Sequence, residues 1–419
     1  MTEQLKLKLN DSKATRWGAL VIVAFTMMAA YYVNDVVAPL KTMLETDLAW
    51  SSTDFGFFTG GYSFLNVFFL MLIWGGLILD RFGIRFTGKL ATILMVGGTA
   101  LEYYAMTGLA GADATLFGIN EIFGYKTGVF VAFAGYSIFG VGAEVAGITV
   151  SKIIAKWFKG KELATAMGVQ VALARIGSQA GYAVAIPLAR AFGISTPVLL
   201  GLVLLLGGMI AFFVFAVMDK KLDKQMEAAA IAAGTEDEEE KFSFKDVKNI
   251  LVNPGFWLIA LLCVLFYSCV FPFQKFASEL MIIKYGINEN VAGTFAGLPA
   301  LGALILTPVF GGFIDKRGKS ASIMLLGSAM LICVHFIYAI PDINYWLVAI
   351  VLMIILGIAF SLVPSAMWPA VAKIFPVSQL GTAYALIFFI QNIGLWGIPT
   401  LIGWVLDAYC ISGKKPDGT

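Results

Sequence analysis

Two opposite charges sit inside otherwise apolar stretches of the chain, Glu144 in GVGAEVAGI and Arg175 in VALARIGSQ. An ionised side chain at bilayer depth costs roughly 2.5–3.5 kcal/mol on insertion scales, so each must be paired or face a cavity. Arginine grips a carboxylate through two parallel hydrogen bonds, and a glutamate receives an ammonium group. The pair therefore either neutralises itself as a fixed helix–helix salt bridge or admits a guest that carries both charges. Glycines and alanines flank both residues and leave space beside them, which favours the guest. Weaker polar candidates are Tyr31, Tyr32, Asn34, Asp35, Tyr62, Asn66, Glu102 and Lys275. Asp35 and Lys275 lie in different halves of the chain and either pair as a gate or, being shallow, snorkel into headgroups. Glu102 reads as a proton carrier or as a carboxyl hydrogen-bonded to neighbouring tyrosines.

Only a membrane-spanning helical framework can position such residues. Of 419 residues, 59% are hydrophobic and 13% charged, whereas soluble domains carry about 25% charge. Roughly 20 apolar residues make a helix that crosses the hydrocarbon core with every backbone polar group satisfied internally. Eleven such segments are predicted, near 17 to 39, 54 to 79, 87 to 109, 127 to 151, 163 to 189, 196 to 218, 255 to 279, 290 to 314, 320 to 340, 346 to 369 and 381 to 406. The tail MTEQLKLKLNDSK shows no small-residue cleavage site after the first apolar run, so that run is expected to stay as a span. With the N-terminus in the cytoplasm, 21 of the 29 Lys and Arg residues fall in the tail and the even-numbered loops, the asymmetry that the positive-inside rule requires. A net charge of +2 argues against a nucleic-acid partner, and four scattered cysteines with one histidine argue against a disulfide framework, a metal site or a catalytic centre. No cofactor is expected, and His335 reads as buried core.

The segments divide six to five. Residues 1–16 form a tail, 17–218 a six-helix bundle, 219–254 a linker with KKLDKQ and EDEEE, 255–406 a bundle of five visible spans, and 407–419 a polar tail. FKDVKNIL in the linker is expected to form a short interfacial helix. The loop after span two reads GGLILDRFGIR at 75–85, and the loop after span eight reads GGFIDKRGK at 311–319. Gly76, Asp80, Arg81, Gly83 and Arg85 in the first copy, with Asp315 and Gly318 in the second, look like a cytoplasmic latch between the halves. Parallel duplication of six-helix units is the mark of carriers that open to each side in turn.

Here the chain resembles the major facilitator superfamily, whose loop motif has this Gly-x-x-x-Asp-Arg-x-Gly-Arg pattern. YSFLNV at 62–67, PSAMWPAV at 364–371 and QLGTAYALIFFIQNIGL at 379–395 resemble more closely the family of major facilitator superfamily domain-containing protein 1. The resemblance implies an all-α membrane protein built from two pseudo-symmetric six-helix bundles. The animal member of that family is a lysosomal dipeptide transporter, and an acidic and a basic residue of the family match Glu144 and Arg175. Two departures stand out. A twelfth span is not visible before Thr419, which suggests a shortened C-terminus. The N-terminal tail also lacks an acidic dileucine sorting signal, so a prokaryotic inner membrane is expected in place of the lysosome.

The expected activity is facilitated uniport of small peptides, foremost dipeptides, through a central cavity, by a monomer in the lipid bilayer. The ammonium end would meet Glu144 and the carboxylate Arg175, with Tyr31 and Tyr62 nearby. Trp368, Gln391 and Asn392 would supply an aromatic wall and amide donors from the C-terminal half. Proton symport through Glu102 is the less favoured coupling. An organic-anion or monocarboxylate carrier using Arg175 and Lys275 is one alternative; a transport-inactive receptor or scaffold is the other.

Overall fold

The computed structural model describes residues 8–111, 114–159, 161–233, 244–375 and 377–410. Its long helices are α1 (Lys13–Val36), α2 (Ser52–Phe68), α3 (Met71–Thr107), α4 (Thr127–Trp157), α5 (Leu163–Phe192), α6 (Thr196–Ala233), α7 (Pro254–Ile283), α8 (Leu298–Arg317), α9 (Ser320–Ala339), α10 (Trp346–Ile374) and α11 (Val377–Val405). Short helices Lys41–Asp47 and Glu289–Ala296 lead into α2 and α8, and the helix expected in the linker is present as Phe244–Val252. Strands β1 (Glu121–Ile122) and β2 (Tyr125–Lys126) make a small hairpin before α4. Linker residues 234–243 and the tail 411–419 lie outside the described residues.

Helix ends are set by local chemistry. Ser12 accepts a hydrogen bond from the Thr15 amide at the start of α1, and Ser51 and Asp54 form a reciprocal capping box at the start of α2. Asp407, from the end of the chain, also accepts from the Ser52 and Thr53 amides at 3.1 and 2.7 Å, placing an anion where a helix dipole is positive. Asn253 caps α7 just ahead of Pro254. Arg16 holds Glu162 at 2.8 Å, and its guanidinium keeps that carboxyl below the usual carboxylate range.

Eight described helical stretches are long and apolar enough to cross a membrane, nine if the pair α2 and α3 counts as one bent span. Two features reconcile this with the eleven expected segments. Gly83 adopts φ 74°, ψ 174° within α3, so one continuous assignment runs the end of the second span into the third. Helix α5 is long enough but too polar to qualify, because Gln170, Arg175, Ser178 and Gln179 interrupt it. The second span also differs from the continuous helix expected over 54 to 79. It breaks at Phe69 and Leu70, with a bend of 58° and Leu70 at φ 53°. Neither glycine nor proline marks that break.

The buried side chains gather into two large cores and one small one. In the first, α1 packs on α5 and α6, and α4 on α2 and α3; in the second, α10 packs on α8 and α9, and α7 on α11. The halves meet where α2 lies along α11 and where α5 meets α8 and the short helix before it. Close approach relies on missing side chains. A Cβ on Gly177 of α5 would lie 2.1 Å from the Met28 carbonyl oxygen of α1, whereas one on Gly97 of α3 would meet nothing within 4 Å.

Gly177→Ala should therefore destabilise the protein by about 1–3 kcal/mol through overpacking, while Gly97→Ala should be neutral or slightly stabilising through helix propensity. Thermal unfolding of the two variants in detergent compares them, and equal midpoints would contradict the α1–α5 contact.

Candidate functional site

The site grows from two close helix contacts. On α4, Gly140 lies one turn before Glu144, and a Cβ there would sit 2.1 Å from the Tyr62 carbonyl oxygen of α2. That approach lets the Tyr62 hydroxyl donate to Glu144 Oε1 at 3.0 Å. The second contact, at Gly177, brings α1 against α5 just beyond Arg175. The Arg175 guanidinium lies 5.6 Å from the ring centre of Tyr31 and 5.0 Å from that of Phe360 on α10, within cation–π range. All four polar residues, Tyr31, Tyr62, Glu144 and Arg175, are only half-buried.

Glu144 and Arg175 do not pair with each other. The carboxylate takes a phenol and the guanidinium takes two ring faces, so each ion has a weak neutral partner in place of a counterion. The fixed salt bridge considered from the sequence is thus not formed. Tyr31 lies within electrostatic reach of both charges.

In the C-terminal half, Trp368 Nε1 donates to the Tyr267 hydroxyl at 3.3 Å, and the Tyr384 hydroxyl donates to the Trp368 carbonyl at 3.1 Å. The expected amide donors do something else. Asn392 is buried and spends its amide on the Phe388 carbonyl of its own helix, with Oδ1 unpartnered. Gln391 accepts from the Cys263 thiol. His335 packs edge-on against Phe273, and Tyr32 donates to the Pro197 carbonyl.

The side opposite the N-terminal tail is closed by ion pairs between halves. Asp35 and Lys275 are 3.0 Å apart and only 6% and 9% exposed, so they do not snorkel. Ser178 donates to the same aspartate, Lys275 also donates to the Asn34 carbonyl and, at 3.3 Å, to the Tyr136 hydroxyl, and that hydroxyl donates to Asn34 in turn. A second tie escaped the sequence reading. Lys41, 1% exposed, holds Glu279 of α7 at 2.5 Å while contacting Glu45 and the Ser52 hydroxyl. The available signal was Glu279 itself, an acid within the last turns of a span. Arg190 pairs with Glu289 as a third tie. Ser178 follows Arg175 by three residues, so this seal begins about one helical turn from the site.

Glu102 is fully buried on α3 next to Gly135 of α4, and neither carboxyl oxygen has a partner. The tyrosine hydrogen bonds considered for it are not made; Tyr136, the nearby candidate, is engaged by Asn34 and Lys275. Asn66 is likewise buried without partners.

On the tail side, the loop-motif residues bond within the first half. Asp80 pairs with Lys152 at 3.0 Å, Arg85 with Asp223 at 2.6 Å, and Arg81 lies over Phe82. Asp219 binds Lys156 and the Trp157 indole N–H as well as Arg85. A Cβ on Gly76 or Gly312 would meet nothing within 4 Å, and Gly318 turns the second loop at φ 67°. Among the described residues, no ion pair or hydrogen bond of these motifs reaches the other half, and the faces of Gly76 and Gly312 stand unopposed. The side chain of Asp315 lies outside the described residues. Among the described residues, no group of three or more His, Cys, Asp or Glu side chains is gathered to hold a metal.

Comparison with known proteins adds independent findings. The sequence profile of the Major Facilitator Superfamily matches residues 20–397. The human lysosomal dipeptide transporter MFSD1 is 29% identical over 409 residues, covering 94% of this chain and 81% of that protein. The zebrafish (Danio rerio) protein of the same name is 28% identical over 399 residues, covering 93% and 80%. Among solved structures, a D-xylose-proton symporter aligns with a TM-score of 0.65 at 15% identity over 94% of this chain and 91% of its own. A bacterial homolog of the human lysosomal transporter Spinster, inward-facing and unoccupied, aligns at 0.66 and 16% over 95% and 84%. Likenesses at these identities speak for the fold.

Truncating Lys275 to Ala strands the Asp35 carboxylate in a buried site, a change worth about 3–5 kcal/mol. The variant should unfold at lower temperature, and adding Asp35→Asn should recover part of the loss. Strictly additive effects in this double-mutant cycle would show that the two side chains do not interact.

Proposed function

Because this chain belongs to the major facilitator superfamily, we propose that it is a secondary carrier of small peptides, foremost dipeptides, working by alternating access as a facilitated uniporter. The observation that carries the reading is the pair Glu144 and Arg175: opposite charges, half-buried, both within electrostatic reach of Tyr31, with neutral partners in place of each other. A peptide's ammonium fits the first and its carboxylate the second. Recognition by the two ends leaves the side chains loosely constrained, as a roomy site with few polar groups permits. The naming of the MFSD1 relatives as dipeptide transporters supports the same substrate class.

Alternating access finds support in the uneven distribution of contacts. Three ion pairs tie the halves on the side away from the tail, while the glycine faces of the loop motifs are unopposed on the tail side. Taking the N-terminus as cytoplasmic, which the lysine and arginine asymmetry supports, we read this as the arrangement open to the cytoplasm. Closing the tail side would bring the Gly76 and Gly312 faces into use as the latch, and opening the far side would break the ties. In the uniport reading, substrate alone travels. Glu144 serves the guest, and Glu102 sits apart from it against α4. The carrier works as a monomer in a cell membrane.

Thermal-shift measurements with dipeptides, single amino acids and simple carboxylates test the proposal. Dipeptide at 100 times its Kd should add about 2.7 kcal/mol of stability, and Glu144→Gln and Arg175→Ala should each abolish the shift. Peptides stabilising both variants as well as the parent would remove these residues from the site. Equal stabilisation by simple carboxylates would favour an organic-anion carrier instead. Counterflow in vesicles under an imposed pH gradient should show no proton movement with the peptide; acidification accompanying uptake would overturn uniport.

A further inference from the structure

We infer that the side chain of the second residue of a bound dipeptide rests on an aromatic ladder in the C-terminal half, and that its half-buried rings, Trp368 and Phe271, set a preference for a large neutral side chain at that position. This rests on the dipeptide reading of the site and adds which end of the peptide is selected, and by what.

Both charges of the site belong to the N-terminal half. In the C-terminal half, the charged groups within α7 are committed elsewhere, Lys275 to Asp35 and Glu279 to Lys41. Lys316 and Arg317 of α8 and Lys373 of α10 stand exposed at the helix ends. A charged substrate side chain directed at this half would lose water and find no free counterion among the described side chains of α7, α8 and α10, which is costly in a low-dielectric interior.

What the half offers is ring surface. Phe360 carries Arg175 on its face at 5.0 Å. From Phe360 the rings continue to Phe271 at 5.4 Å and Tyr267 at 6.3 Å, and from Tyr267 to Trp368 at 6.5 Å. The polar tips of this ladder are used internally: the Trp368 indole N–H on the Tyr267 hydroxyl, and the Tyr384 hydroxyl on the Trp368 carbonyl. These bonds fix the rings; Phe360 and Tyr267 are nearly enclosed, at 3% and 8% exposed, while Phe271 and Trp368 remain half-buried and keep the ring surface that a guest can reach.

Peptide polarity then fixes which side chain meets the ladder. A carboxylate on Arg175 sits beside Phe360, and the carbon bearing the second side chain is bonded directly to that carboxylate. The first residue lies toward Glu144 and Tyr62, on the other half. Order should therefore matter: Gly-Phe places its ring on the ladder, and Phe-Gly does not.

Binding of Gly-Gly, Gly-Phe, Phe-Gly, Gly-Asp and Gly-Lys to the full chain, by calorimetry or thermal shift, tests this. Gly-Phe should bind roughly tenfold or more tighter than Gly-Gly, as expected for burying an aromatic side chain, and tighter than Phe-Gly, Gly-Asp and Gly-Lys. Trp368→Ala should erase most of the Gly-Phe advantage over Gly-Gly. Phe271→Leu, which keeps the volume approximately and should fold, should lower the ratio of Gly-Phe to Gly-Leu binding. Equal affinity for Gly-Phe and Phe-Gly, a preference for Gly-Asp or Gly-Lys, or an equal loss of all peptides in Trp368→Ala would overturn the inference while leaving the dipeptide reading intact. Binding of no dipeptide at all would overturn both.

Discussion

An ion removed from water has to be answered by another group, and that constraint organises this protein more than apolar packing does. Lipid offers helices no hydrophobic reason to choose one neighbour over another, so the buried charges decide which surfaces must meet. Asp35 and Lys41 from the first half are answered by Lys275 and Glu279 from the second. Asp219 gathers Arg85, Lys156 and the Trp157 indole within the first half. Against this background of strong matches, Glu144, Arg175 and the unpartnered Glu102 are exceptions. Glu144 and Arg175 hold only neutral partners, a phenol and two ring faces, and this contrast sets them apart from the ion pairs between the halves.

The same logic explains the uneven architecture. Where the ion pairs lie, α5 also lays Gln179 and Tyr182 against carbonyls of the second half, and a Cβ on Gly293 would collide with the Tyr182 carbonyl oxygen. Where the loop motifs lie, charges are matched inside one half and glycines face open space. The ion pairs between the halves are thus concentrated at one end, with the lightly satisfied ions Glu144 and Arg175 about a helical turn away from them.

Much of the fold was legible because a span must be long and apolar whatever it packs against. The eleven segments, the duplicated loop motif and the linker helix followed from composition and spacing. The break in the second span did not, since Phe69 and Leu70 are ordinary span residues and the left-handed turn at Leu70 depends on tertiary context. In the site, Glu144 and Arg175 stood out as charges among glycines and alanines, and Asp35 and Lys275 as opposite types in opposite halves. Lys41 was hidden because a lysine just past a span looks like a headgroup contact. Tyr267 and Phe360 were hidden because a ring that faces the interior has the same sequence signature as one that faces lipid. Asn392 was misjudged for a related reason: sequence reveals an amide but not that its own helix has already claimed the donor.

The discontinuity in the second span has a mechanical consequence. Ser52–Phe68 packs along α11, whereas the stretch after Leu70 is joined to it through Phe69 and Leu70, the second of which has a left-handed backbone that costs about 1–2 kcal/mol. That is a few times thermal energy, and it is spent at a single joint. The span therefore behaves as two levers on a sprung elbow, with Phe68 touching Trp396 of α11 beside the joint. The joint lets the two parts of one span run at 58° to each other, so the upper part lies along α11 while the lower part continues in a direction of its own.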